Sequence, residues 1–279
     1  NRKLGRSHDT GVLKDGDGQV IADDAGKACL LNTYFNSINV VDDAACPAFQ
    51  LRTDGRLDDA SFDANAVRKH CNKMRPKFSS GPDGYPPFLL KQIGPSIAGI
   101  IAQLFQSFMS IGRVPSDWKQ AIIKPLFKKG ASSDPASYRP ISLTSIFSKL
   151  MEKIIVEQML KYLLTNNLIS KQQHGFLSRR STATNLIESL NDWTVKMENR
   201  QGQSVAYIDF AKAFDSVSHP KLLTKLGAYG IGGVLLNWIS DFLTGRSHVT
   251  RVGHCLSPIA FITSGVIQGS CLGPLLFYS

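Results

Sequence analysis

The chain has 279 residues, 43% of them apolar and 19% charged, with a formal net charge of +10. No apolar run approaches the ~18 residues of a membrane-spanning helix, so composition argues against a disordered tail and against an integral membrane protein, and predicts a soluble globular chain. At ~150 residues per domain the length predicts about two units.

The charge is uneven. Residues 1–60 hold 7 Lys and Arg against 10 Asp, whereas residues 61–279 hold 25 against 12 Asp and Glu, a surplus of +13. A basic excess confined to one part of a chain predicts a polyanionic partner, nucleic acid first, with a plain solvated basic face as the alternative. Five cysteines without a Cys-x-x-Cys pair predict neither a disulfide framework nor a zinc cluster, but a reducing compartment. The chain starts at Asn1 with no basic-then-apolar leader, which predicts an excerpt lacking a secretory signal.

Residues 1–60 mix Gly and Asp around one apolar stretch, Cys29 to Phe35, and read as a partly flexible linker with one short helix. Turn formers crowd Ser79-Ser-Gly-Pro-Asp-Gly-Tyr-Pro-Pro87, which predicts an exposed loop. Ile97, Ile100, Ile101, Leu104, Phe105, Phe108 and Met109 recur at steps of three and four and predict a core helix ending near Gly112. The same spacing predicts core helices over Leu143–Leu163 and Leu186–Met197.

Between the first two helices, Trp118 to Gly130 reads as a strand entering a turn, with Tyr138-Arg-Pro-Ile-Ser142 on the return strand of a basic hairpin. Ser204-Val-Ala-Tyr-Ile-Asp209 reads as a largely buried strand ending in an acid. Ser218 and Pro220 open a short helix, Val234–Leu243 forms another, and His248–Val252 begins a strand region. A carboxylate at the end of a buried strand is costly unless compensated, and either a divalent metal or a simple capping role meets that need at Asp209.

Ala206-Tyr-Ile-Asp-Phe-Ala-Lys-Ala-Phe-Asp-Ser-Val217 resembles the first catalytic motif of reverse transcriptases, and Val266-Ile-Gln-Gly-Ser-Cys-Leu-Gly-Pro-Leu-Leu-Phe277 resembles the next. Tyr138 to Leu143, Gln173-His-Gly-Phe176 and Arg179-Arg-Ser-Thr182 resemble the fingers of retrotransposon enzymes. With Ser80-Gly-Pro-Asp-Gly84 and Trp118 to Gly130 ahead of them, the likeness is to the non-LTR (LINE-like) branch and covers about 61–279.

The resemblance implies an α+β fold: right-hand polymerase fingers with an incomplete palm, helices packed on a small antiparallel sheet. It divides the chain into a linker (1–60), fingers with early palm helices (61–200) and a partial palm (201–279). It implies an RNA template, a DNA primer, deoxynucleoside triphosphates and Mg2+ or Mn2+ as partners, in the nucleus and cytoplasm.

Residue by residue, the resemblance makes Asp209 the catalytic metal ligand, with the backbone carbonyl of Phe210 beside it. Phe214 is implied as the steric gate beneath the incoming sugar, although without the family it reads as core. Arg139 with Lys124 or Lys128 is implied to hold the triphosphate, since a guanidinium pairs two phosphate oxygens while an ammonium acts as a point charge. Gln268 and Gly269 are implied to shape the pocket of the nascent base pair. Arg179 and Arg180 either contact template phosphate or form a solvated pair, and Gly269 and Gly273 read equally well as ordinary turn or packing glycines.

Asp215 reads as a turn or helix-cap acid. The family's aromatic-x-Asp-Asp hairpin would follow the Gln-Gly motif. The pairs Asp23-Asp24, Asp42-Asp43 and Asp58-Asp59 all precede the fingers and cannot stand in for it. The expectation is a truncated polymerase, built for two-metal nucleotidyl transfer when intact and inactive alone. The alternatives are a non-catalytic or host-repurposed RNA-binding protein, and a group II intron-type maturase with a different fingers segment.

Overall fold

In the computed structural model, residues 10–40 and 45–278 are described. Asp42 and Asp43 lie outside them. A two-stranded ribbon, β1 (Leu13–Lys14) and β2 (Val20–Ile21), turns at Asp15, whose carboxylate accepts from the N–H groups of Asp17 and Gln19. Helix α1 (Asp24–Ser37) follows, longer than the Cys29–Phe35 expected, because Asp23 caps it by accepting from the Gly26 N–H at 2.7 Å. Its Ala28, Leu31 and Phe35 join Leu13, Ile123, Tyr138 and Val252 in a small core of their own. Asp23-Asp24 and Asp58-Asp59 serve locally: Asp58 pairs with Arg56, and Asp59 accepts from the Ala60 N–H.

The larger core is helical. Helices α2 (Ala64–Asn72), α3 (Pro87–Ile93), α4 (Ala98–Ser110), α5 (Ile146–Thr165), α7 (His219–Ala228) and α8 (Gly233–Leu243) all contribute to it. The loop before α3 is where the turn formers placed it. On α4 the buried stripe is Ile101, Phe105 and Met109, while Ile100 and Leu104 face water, so it is narrower than the periodicity suggested. Helix α5 begins at Ile146 because Ser145 caps it, and Leu143 belongs to the preceding strand. No single helix is long and apolar enough to cross a membrane.

Helix α6 (Thr182–Glu198) departs from expectation: it buries no residue, and Leu186, Ile187, Leu190 and Met197 are all more than half exposed. Its start is nonetheless well made, with Ser181 and Thr184 forming a reciprocal capping box and His174 bonded to Thr184 and Glu188. Helical spacing marks an apolar face without deciding whether anything covers it, and no described element buries this one.

The main sheet has the order β4–β3–β5–β6, with β7 beside β5. β3 (Gln120–Phe127) and β4 (Tyr138–Leu143) form the expected antiparallel hairpin. β5 (Arg246–Val252) runs parallel to β3, and β6 (Cys255–Leu256) and β7 (Ala260–Ile262) return antiparallel to β5. The sheet is therefore mixed rather than antiparallel, since the chain between β3 and β5 makes a long crossover through helices that restores the strand direction. Helix α9 (Gly273–Tyr278) closes the described chain.

Residues 204–209 are not a buried strand, in contrast to the reading of their pattern. They are irregular and exposed, Tyr207 at 85% and Ile208 at 81%. Backbone groups of an extended segment need a neighbouring strand or water, and among the described residues no strand pairs with these.

Candidate nucleotide and nucleic-acid site

Strand alternation sets the first part of the site. In β3 the buried Ala121 and Ile123 face the interior, so Lys124 and Leu126 point the other way and are exposed. Arg139 on β4 stands opposite Leu126, with Lys124 and Lys128 on the two diagonals across the strands, and all three cations are exposed. The hairpin therefore presents one basic face. Lys128 lies past the strand end, where its N–H still donates to the Ser137 carbonyl at 2.8 Å.

The second part is the turn at Gln268–Gly269. β4 is an edge strand, and its outer N–H at Ser142 donates to the Gln268 carbonyl at 2.8 Å. Gly269 has φ +117, and a Cβ there would lie 2.6 Å from the Ser142 carbonyl oxygen. Only glycine suits both the backbone and the contact. Gly273 is restricted by contact alone, since a Cβ would lie 2.8 Å from the Ile267 carbonyl oxygen. The turn is thus seated three residues along β4 from Arg139.

Beneath the turn the interior is polar. The fully buried Glu152 carboxylate on α5 accepts from the N–H groups of Cys271 and Leu272 and from the Ser148 hydroxyl. Burial pushes its pKa up against the pull of these donors, and burial with the Glu152 charge pushes the Cys271 thiol to about 12. Arg246, 2% exposed, donates to the carbonyls of Phe242 and Trp118, and burial lowers its pKa to about 10. His248, 5% exposed, has no partner at either ring nitrogen, and Gln268 Oε1 is also buried without one. Both line a cavity with Phe35, Asn39, Ser142 and Asp215.

Asp215 sits in a turn, in line with the sequence reading, and it lines that cavity; burial raises its pKa in spite of Lys212. The α7 cap is Ser218, not Asp215.

Of the remaining candidates, Phe214 is tied to the segment leading into the turn, its carbonyl accepting from the Val266 N–H at 2.7 Å, whereas Asp209 and Phe210 are not drawn to either part. Asp209 and Phe210 lie on the exposed stretch after α6, with Phe210 74% exposed. Among the described residues no group of three or more His, Cys, Asp or Glu could hold a metal ion. The described residues therefore do not fit a complete cation site. Phe214 is half-buried, stacked on Phe277 at 4.9 Å and edge-on to Phe176. Arg180 donates to the Lys171 and Gln173 carbonyls and so clasps its own loop, while Arg179 beside it is exposed.

Sequence reasoning missed Glu152, Arg246, His248 and the contribution of α1. Glu152 had a signal: it lies on the same helical face as Ser148 and Ile155, a charge where spacing predicts core. Arg246 and His248 had only strand alternation, which does not say which face of β5 is covered.

Residues 126–279 match the family described as reverse transcriptase (RNA-dependent DNA polymerase). The chain is similar to the RNA-directed DNA polymerase from mobile element jockey of Drosophila funebris, 29% identical over 76% of this chain and 23% of that protein. Its similarity to the jockey polymerase of Drosophila melanogaster is 35% over 63% of this chain and 19% of that protein. To the probable RNA-directed DNA polymerase from transposon BS of Drosophila melanogaster it is 30% identical over 72% of this chain and 22% of that protein. The chain spans about a fifth of the length of these relatives. The family implies a divalent cation, nucleotide substrates, and a nucleic-acid template and primer. A mixed α/β domain with a Gln-Gly turn seated on a basic hairpin, matched over more than half its length, belongs to the reverse transcriptase family, on its non-LTR retrotransposon branch.

Proposed function

We propose that the chain is the nucleotide-gripping part of an RNA-directed DNA polymerase, comprising fingers and part of a palm, that copies RNA with deoxynucleoside triphosphates and Mg2+ or Mn2+. The observation that carries this reading is the Gln268 carbonyl on the Ser142 N–H, which joins the pocket turn to the strand bearing Arg139. Arg139 forks onto triphosphate oxygens, and Lys124 or Lys128 adds a point charge from the same face. Gln268 borders the base pair, Gly269 lets backbone approach it, and Phe214 lies beneath the sugar. Asp209 and the Phe210 carbonyl are this chain's contribution toward the cation, and Arg179 is the freer of the two arginines for template phosphate.

Primer extension tests this reading, with residues 61–279 replacing the matching segment of the Drosophila jockey polymerase. Extension of a DNA primer on RNA is the expected result, with none from the 279-residue chain alone, which offers one carboxylate where two metals need several. A folded graft that extends nothing overturns the reading. A second reading, non-catalytic RNA binding, is favoured by one observation: the described residues gather no metal-binding cluster. It predicts RNA affinity that falls steeply with salt in a graft that makes no DNA.

A further inference from the structure

Glu152 occupies the middle of α5 with Leu150, Met151, Ile154 and Ile155, all buried, and is itself 0% exposed. A carboxylate in such a place is strongly disfavoured unless its oxygens are fully bonded. They are: Oε2 accepts from the Cys271 N–H at 2.6 Å and the Leu272 N–H at 3.1 Å, and Oε1 accepts from the Ser148 hydroxyl at 3.0 Å. Arg246 supplies a compensating charge. The two amides lie between the Gln268–Gly269 turn and α9.

The same turn is held from its other side by β4, through the Ser142 N–H and the close fit of Gly269. α5 begins just beyond β4, with Ser145 as its cap. One continuous stretch of chain therefore carries Arg139, the Ser142 contact and Glu152. Its strand and its helix fix the height and the distance of the turn together.

We propose that Glu152 is a positioning residue for nucleotide: by accepting from Cys271 and Leu272 it sets the Gln268–Gly269 turn at the spacing from Arg139 that a nucleotide requires. This rests on the reading of Arg139 and Gln268 as nucleotide-binding. The part played by Glu152 is that of acceptor rather than of charge. A glutamine turned with Oε1 to the amides and Nε2 to Ser148 serves the same three groups, whereas a leucine leaves two buried N–H groups unpaired.

The test uses the full chain with Glu152→Gln, Glu152→Leu and Glu152→Asp. Hydrogen exchange is read over 268–276 and over α5, and photo-crosslinking uses an azido-deoxynucleoside triphosphate with Mg2+ and an RNA–DNA primer duplex. In Glu152→Gln both readouts stay near those of the unaltered chain. In Glu152→Leu the amides at 271–272 exchange about tenfold faster or more, and nucleotide crosslinking falls about as far. Duplex affinity and α5 protection hold, a split that a merely packed residue does not produce. Glu152→Asp, one methylene short of the amides, falls with leucine, which keeps the test decisive where leucine prevents folding.

Crosslinking undiminished in both Leu and Asp overturns the proposal, as does Gln failing as badly as they do. No crosslink to the unaltered chain overturns the nucleotide reading itself, and this proposal with it. Lost protection with unchanged crosslinking overturns the proposal alone.

Discussion

The turn at Gln268–Gly269 and the stretch ending at Asp209 carry motif signatures of similar density, yet their surroundings are opposite. The turn is bonded to β4 on one side and to α5 on the other, over partners that include one 119 residues away in sequence. The Asp209 stretch is irregular and exposed. A turn has few backbone groups to satisfy, and a buried carboxylate with one strand edge satisfies them. A strand has a full row of such groups on each side, and it becomes a strand only where another lies beside it. A motif's chemistry and a motif's order are thus separate properties of one sequence.

The sharpest way to break this comparison is at Asp209. In the active graft, Asp209→Asn keeps the shape and removes the charge, and primer extension should fall by several orders of magnitude while RNA binding persists. Asp215→Asn should be much milder, since Asp215 sits in a turn lining the cavity behind Gln268–Gly269. Equal losses place the cation on the wrong residue.

Stability separates the gripped core from the uncovered helix in the same way. Ile155→Ala on α5 removes a side chain with 0% exposure and should cost about 2–5 kcal/mol in denaturant unfolding. Leu190→Ala on α6, 54% exposed, should change stability by no more than about 0.5 kcal/mol. A large loss at Leu190 shows that α6 is covered in solution.

Phe214 lies between the two regions. In the graft, Phe214→Ala should raise ribonucleotide incorporation relative to deoxynucleotide by about tenfold, the order of one lost close contact. An unchanged ratio, measured by extension with each nucleotide type, returns Phe214 to packing on Phe277 alone.

The smallest effect concerns pH. Burial lowers the pKa of His248, and burial lowers that of His219 despite its bond to the Gly265 carbonyl. A depressed base stabilises the fold above its unfolded pKa, ~6.5, and that stability is lost as pH falls through the folded value, by at most about 1.4 kcal/mol per pH unit for each group. Glu152 and Asp215, both raised by burial, act in the opposite sense, losing their contribution as pH rises through their folded values. They are common to both proteins when thermal melts of His248→Leu and the unaltered chain are compared. The variant should lose less stability between pH 7.5 and 5.5; equal slopes show that His248 is not held neutral beneath the turn.

What the amino-acid sequence determined by itself was whatever depends on near neighbours. Capping residues and three-and-four spacing set α1, α4, α5, α7 and α8, and alternation set the β3–β4 hairpin with its basic face of Lys124, Lys128 and Arg139. The order of the motifs was enough to reach the family. Tertiary structure alone decided which apolar faces are covered, as α5 is and α6 is not, because periodicity marks a face without supplying its partner. It also decided that β5 lies parallel to β3, which follows from the path of a long crossover rather than from any residue in either strand. And it decided that Glu152 belongs with Cys271 and Leu272, since hydrogen bonds between distant segments form only after both have been packed together and leave no spacing behind to read.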